Sequence, residues 1–240
     1  MPREKRETPG ESAGNGVAGA PRKAGTRSMN AAFNKRINAL FKRDDWKQAR
    51  SLLETEFKKN PSDHWLLTQL AVTFYEERKY KKALGLLVKS LKIVPDCPLT
   101  LWNVGGALDA TGQHGSAIRV YTWLLRSKKS PAEDPCWESE QWADVLKTDC
   151  VYRIGVCFKN EGAHDLALHC FHQYLNLLMS GKDASYSLDD VHRHMLCLNK
   201  ARTSLETQAD IQKAVASTLE AAESAANGAD LEMPRLLSTL

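Results

Sequence analysis

From about residue 30 onward, apolar residues fall at helical spacing in blocks of a dozen or so, broken by short polar or Pro-containing stretches. Two of these blocks share one skeleton. "WKQARSLLETEFKKNPSDH" (46–64) and "YKKALGLLVKSLKIVPDCP" (80–98) each run aromatic, alanine, leucine, then proline, and they lie 34 residues apart. A helix is predicted for each, stopped by a proline that lacks an N–H and clashes with the preceding turn. Between them, Leu67, Leu70, Ala71 and Phe74 occupy one face of another predicted helix. The unit is therefore a pair of helices, and the pair recurs.

With Ala83 as anchor, residues 64–97 carry Leu67, Leu70, Ala71, Phe74, Tyr80, Ala83, Leu87 and Pro95. The matching positions in 98–131 are Leu101, Val104, Gly105, Leu108, His114, Ala117, Tyr121 and Lys129. In 30–63 they are Phe33, Arg36, Ile37, Leu40, Trp46, Ala49, Leu53 and Pro61. A fourth set in 148–181 is Val151, Ile154, Gly155, Phe158, His164, Ala167, Phe171 and Met179. The eighth position is small in three copies and the twentieth is alanine in all four, as two helices need in order to cross closely. The aromatic or leucine at position twenty-four fills the space beside that crossing.

This set resembles the tetratricopeptide repeat (TPR), a helix–turn–helix of 34 residues, over residues 30–181. The family's usual tryptophan at the fourth position is absent from all four copies. The resemblance implies an all-α, right-handed solenoid of about four repeats with C-terminal capping helices. It also implies an adaptor or scaffold binding a peptide segment of another protein in a concave groove. The alternative is a structural subunit that assembles with itself or within a fixed complex.

The remaining segments follow from this frame. Residues 1–28, rich in Gly, Pro and charge, are expected to be a disordered basic tail, with Met29 as an alternative start. The solenoid is placed at 29–181. Arg36 on the first copy's inner stripe suits a capping repeat. An insertion, 129–147, lies within "SKKSPAEDPCWESEQWADVLK" (127–147). Ser130–Glu133 and Asp134–Pro135 read there as helix starts, and Trp142, Val145 and Val151 extend the fourth copy's first helix backward. The insertion is expected either to flank or cover the groove, anchored by Trp137 or Trp142, or to pack as a loop on the outer face. "SLDD" (187–190) is a capping box opening a helix. Capping helices are placed at 182–227 and a flexible tail at 228–240.

Composition narrows the function. In 240 residues the net charge is +4, and six Lys/Arg against Glu4, Glu7 and Glu11 in the first 28 carry most of it. The repeats are thus close to neutral, which argues against nucleic acid. No apolar run is long enough for a membrane span, and the N-terminus has no apolar signal core. Six cysteines without a CxxC read as reduced thiols, consistent with a cytoplasmic protein. No Walker loop, GxSxG or HExxH is present, so no catalytic residue and no cofactor is assigned. "HDLALHCFH" (164–172) offers His169 and His172 three apart, but both face away from Ala167 and Phe171. Two further ligands are missing, so no metal site is assigned there. Cys150, Cys157 and Cys170 read as buried thiols.

In TPR solenoids the first helices line the groove. Carried onto this sequence, the resemblance gives a floor of Asn38, Trp65, Gln69, Val72, Tyr75, Trp102, Asn103, Gly106, Tyr152 and Arg153. Aromatics and arginine on an accessible face are common binding anchors. Gly106 reads either as a tolerated mid-helix glycine or as the space for a pocket beside Trp102 that would take one partner side chain. A chaperone C-terminal carboxylate is not the expected ligand. The family's clamp of two Lys, two Asn and one Arg maps to Asn34, Asn38, Gln69, Leu99 and Asn103, or one copy later to Thr68, Val72, Asn103, Asp149 and Arg153. Both lysines are missing in either register.

Overall fold

The computed structural model describes residues 31–202, together with Ser217. The basic tail, Met29, most of the second expected capping helix and the C-terminal tail lie outside the described residues. The helices are α1 (Ala31–Phe41), α2 (Trp46–Lys59), α3 (His64–Glu76), α4 (Tyr80–Ile93), α5 (Pro98–Ala110), α6 (His114–Arg126), α7 (Glu140–Glu161), α8 (His164–Met179) and α9 (Leu188–Arg202). A short 3-10 turn, Pro135–Trp137, precedes α7. Each helix packs on the next in the chain, and α3 also touches α5. The result is a helical solenoid of four hairpins, α1–α2 to α7–α8, followed by α9.

The repeat is written into the backbone as well as the side chains. Each hairpin turns through a residue with positive φ at the same position: Asp44 (54°), Arg78 (60°), Gly112 (79°) and Gly162 (82°). The next residue donates its N–H back to the carbonyl five residues earlier. These bonds are Asp45 to Leu40 (3.0 Å), Lys79 to Phe74 (2.8 Å), Gln113 to Leu108 (2.9 Å) and Ala163 to Phe158 (2.9 Å). Four residues on sits the alanine of the crossing. Ala49, Ala83, Ala117 and Ala167 are all fully buried, as are Leu53, Tyr121 and Phe171 beside them. At Gly105 a Cβ would come within 2.6 Å of the Tyr121 ring, and at Gly155 within 3.0 Å of Phe171. The small residues are there because the partner ring leaves no room for more.

Helix starts follow local chemistry. The Asp45, Asp63 and Ser139 side chains accept the first free N–H groups of α2, α3 and α7. Pro98 opens α5, where its missing N–H costs nothing. In the predicted capping box, Ser187 N–H donates to Asp190 and the Asp190 N–H to Ser187 Oγ, at 3.0 and 3.2 Å. Pro61 and Pro95 stand two residues past the ends of α2 and α4.

Two differences from the sequence reading have clear causes. Ser130–Glu133 forms a turn rather than a helix start. The Glu133 carboxylate accepts the Ser130 N–H at 3.1 Å, but only a turn and the 3-10 segment follow before α7. The first copy does not present a wholly polar inner face either, since Ile37 fills the position that is small in the other copies. Ile37 is buried with Leu53, Leu66 and Leu70 in a small cluster of its own, while Arg36 stays in solvent. A larger core runs from Ala71 to Leu198.

Candidate functional site

The ten expected floor residues separate into two groups. Asn38 on α1, Trp65, Gln69 and Val72 on α3, and Asn103 on α5 are half-buried. Tyr75, Trp102, Gly106, Tyr152 and Arg153 are buried. The open strip therefore spans the first helices of copies one to three, while the part toward α7 is filled by the chain's own side chains.

The filling is a polar knot with Arg153 at its centre, 4% exposed. From α7, Arg153 donates to Asp109 Oδ2 on α5 (3.4 Å) and to Tyr121 Oη on α6 (3.2 Å). Asp109, itself 3% exposed, also accepts from Asn160 Nδ2 at 3.1 Å and lies 2.7 Å from His114 Nδ1. A buried carboxylate and guanidinium are tolerable only when paired and hydrogen-bonded in this way. The Arg153 guanidinium, expected on the open floor for a partner, is thus committed inside. The space at Gly106 is likewise occupied. A Cβ there would meet Tyr75 Oη at 3.6 Å and Arg153 Nη2 at 3.7 Å, which is ordinary contact with residues of the same chain. Burial pushes the Tyr75 phenol far above its usual range.

Tyr152 is closed from the other side. Tyr186, between α8 and α9, stacks on it at 3.9 Å between ring centres, and His194 Nε2 of α9 lies 3.0 Å from its hydroxyl. Lys159 Nζ donates to the other nitrogen of His194 at 2.8 Å. Trp102 packs edge-on against Tyr121 at 5.3 Å. Next to this region Asp149 is raised from 3.8 to about 6, mainly by burial, even though Ser185 N–H donates to it at 3.0 Å.

The half-buried strip has a different character. Trp65 packs against both cores with part of its surface in solvent. Asn103 Nδ2 turns back to donate to Leu99 O at 2.8 Å. At the strip's far end burial, with Asp44 nearby, raises Glu76 from 4.5 to about 7. Such a face can offer apolar contact and amide hydrogen bonds without a fixed net charge.

The sequence reading missed one gathering of ligand-type side chains. Among the described residues, His64, Cys97 and Cys136 bring their donor atoms within 4.8 Å of one another. No local spacing marks them, since they lie 33 and 39 positions apart along the chain. The histidines of "HDLALHCFH" do not gather so. His172 is exposed, and His169 Nε2 lies against Gln173 at 2.9 Å. The insertion is anchored by both expected tryptophans, with Trp137 fully buried and 6.4 Å from Trp142 in an edge-to-face pair. It packs on α5 and α7.

Among solved structures the chain is similar in fold to MamA. "MamA 41-end from Desulfovibrio magneticus RS-1" superposes with a TM-score of 0.54 at 16% identity, covering 79% of this chain and 94% of that one. "MamA RS-1 ArsTM double mutant" gives 0.53 at 14% identity, covering 80% and 94%. No known family profile matches the sequence, and no curated protein matches it significantly. The likeness shows the architecture, an all-α right-handed solenoid of TPR-type hairpins. No helix among the described residues is long and apolar enough to cross a membrane.

Proposed function

We propose that the chain is an adaptor that binds a peptide segment of another protein along the strip formed by α1, α3 and α5. The observation that supports this reading is the contrast between the equivalent faces of α3 and α7. Trp65, Gln69 and Val72 stay half-open, while Arg153 and Tyr152 further along are sealed by their own neighbours. Affinity would come from burying Trp65 and Val72, and selectivity from Asn38, Gln69 and Asn103. Arg153 is reassigned from partner contact to holding the strip's lower end rigid. The peptide extends across the first three copies and takes no part in catalysis.

A photo-crosslinking side chain at Gln69 tests this directly. It is expected to yield covalent adducts with other proteins, whereas the same group at Glu54 on α2 yields few. Equal yields at both positions would contradict the reading.

Self-association is the second reading, and a specific feature favours it. Phe57, Leu67, Leu70, Leu86 and Ile93 line an apolar groove of about 460 Å³ on the α2–α4 side. Light scattering separates the two, since an adaptor is monomeric when pure and a self-assembling subunit is not.

A further inference from the structure

The insertion interrupts the solenoid at a point where the repeats do not require it, and its course explains the three residues that converge beside it. His64 is the first residue of α3 and Cys97 immediately precedes α5. In a solenoid of hairpins the starts of neighbouring first helices lie at the same end. The insertion crosses that end and delivers Cys136, within its 3-10 turn, to the same corner. Cys136 Sγ and His64 Nε2 are 4.0 Å apart.

We propose that His64, Cys97 and Cys136 form a site for a zinc-type divalent ion, which staples the insertion to the starts of α3 and α5, with water in the fourth position. Two thiolates and an imidazole are the soft and borderline donors that select such an ion over magnesium or calcium. With bonds of about 2.0–2.3 Å, donors around a tetrahedral zinc lie roughly 3.5–3.8 Å apart. The observed spacing needs only a small contraction to reach this.

The surroundings fix the three ligands as a metal site requires. The His64 carbonyl accepts from Thr68 Oγ1 at 3.0 Å and from Ser90 Oγ at 2.8 Å. Those hydroxyls and Thr100 Oγ1 form a fully buried triangle with sides of 2.8, 2.9 and 3.2 Å, tying α3, α4 and α5 together directly behind the corner. On the insertion side, Asp134 Oδ1 accepts the Cys136 N–H at 2.9 Å, and Lys129 bridges Asp134 to Asp96, the neighbour of Cys97. Cys97 is buried while His64 and Cys136 are half-buried, so an ion can enter from one side. Binding replaces two thiol protons, which leave to solvent, with two sulfur–metal bonds and one nitrogen–metal bond.

The test uses the full reduced chain, titrated with Co2+ in the absence of air and then with Zn2+. One Co2+ per chain is expected, with thiolate-to-cobalt charge-transfer absorption that Zn2+ abolishes. Cys136→Ser, in a half-buried turn that spares the core, should lose most of that absorption. His64→Ala should weaken binding by more than about tenfold, and Cys197→Ser should change nothing. Should a variant fail to fold, alkylation of the unsubstituted chain decides the matter. Zn2+ should protect the half-buried Cys136 and leave the exposed Cys197 reactive. Absence of charge-transfer absorption, its persistence in Cys136→Ser, or no protection of Cys136 would each overturn the proposal.

Discussion

The strip around Trp65 and Gln69 and the knot around Arg153 occupy equivalent positions in different copies of the repeat, yet one is half-open and the other sealed. Their residue types look alike on paper: aromatics, amides and one cation. What separates them is what comes next in the chain. Beyond α7 stand Tyr186 and His194, which close over Tyr152. Asp109 and Tyr121 lie within reach of Arg153 and accept from its Nη2 and Nε. Facing α1 and α3 the described residues supply no such plug. A repeat position thus specifies direction, and its neighbours decide between packing and recognition.

The comparison is broken most severely at Arg153. Arg153→Ala leaves Asp109 buried without its cation and should cost roughly 3–5 kcal/mol, read from the denaturant midpoint at unchanged slope. Gln69→Ala, on the open strip, should move that midpoint by less than about 0.5 kcal/mol. Comparable losses at both would erase the distinction.

Adjacent glycines sharpen it next. Gly105→Ala drives a Cβ into the Tyr121 ring and should cost roughly 1–3 kcal/mol. Gly106→Ala meets only ordinary contacts and should be neutral or stabilise by up to about 1 kcal/mol through helix propensity. If both lose stability alike, the crossing has been misplaced by one residue.

Asp149 gives a pH signature of the sealed side. Its folded pKa of about 6 exceeds its ordinary 3.8, so its contribution is greatest below pH 4 and is lost as pH rises through 6. An amide in place of this carboxylate cannot ionise but keeps an acceptor for Ser185. Asp149→Asn should therefore gain on the unsubstituted protein between pH 4 and 7, by at most about 1.4 kcal/mol per pH unit. A stability difference independent of pH would show that the carboxylate is better solvated than its burial implies.

The smallest effect lies in the turns. Arg78 holds the positive φ that Gly112 and Gly162 adopt in later copies. Arg78→Gly should raise stability by about 0.5–1 kcal/mol, provided loss of the exposed arginine costs nothing else. A fall in thermal midpoint would mean that the turn is not strained.

The repeat register was legible because it depends on nearest neighbours along one helix. Alanine at the crossing and a small residue opposite are local demands, and all four alanines are buried where the 34-residue period puts them. The positive-φ turn was not legible, since Asp44 and Arg78 hide what only Gly112 and Gly162 advertise. The ten expected residues fall on α1, α3, α5 and α7 as the period puts them, but their accessibility was not legible. Closure over Tyr152 comes from Tyr186, beyond the last repeat, and no period reaches it. The His64–Cys97–Cys136 corner was invisible for a related reason. Its members come from two copies and an insertion, and only the stacking of hairpins makes them neighbours.

Recognition by the open strip, with the sealed knot as its support, is the central claim. The most direct measurement is the affinity of the partner segment recovered by crosslinking at Gln69, compared across three forms of the chain. A Trp65→Ala, Gln69→Ala double variant should bind it more than about tenfold more weakly than the unsubstituted chain, with its fold intact. A Lys89→Ala variant on α4 should bind it unchanged. Equal affinity in all three, with the double variant fully folded, would contradict the account.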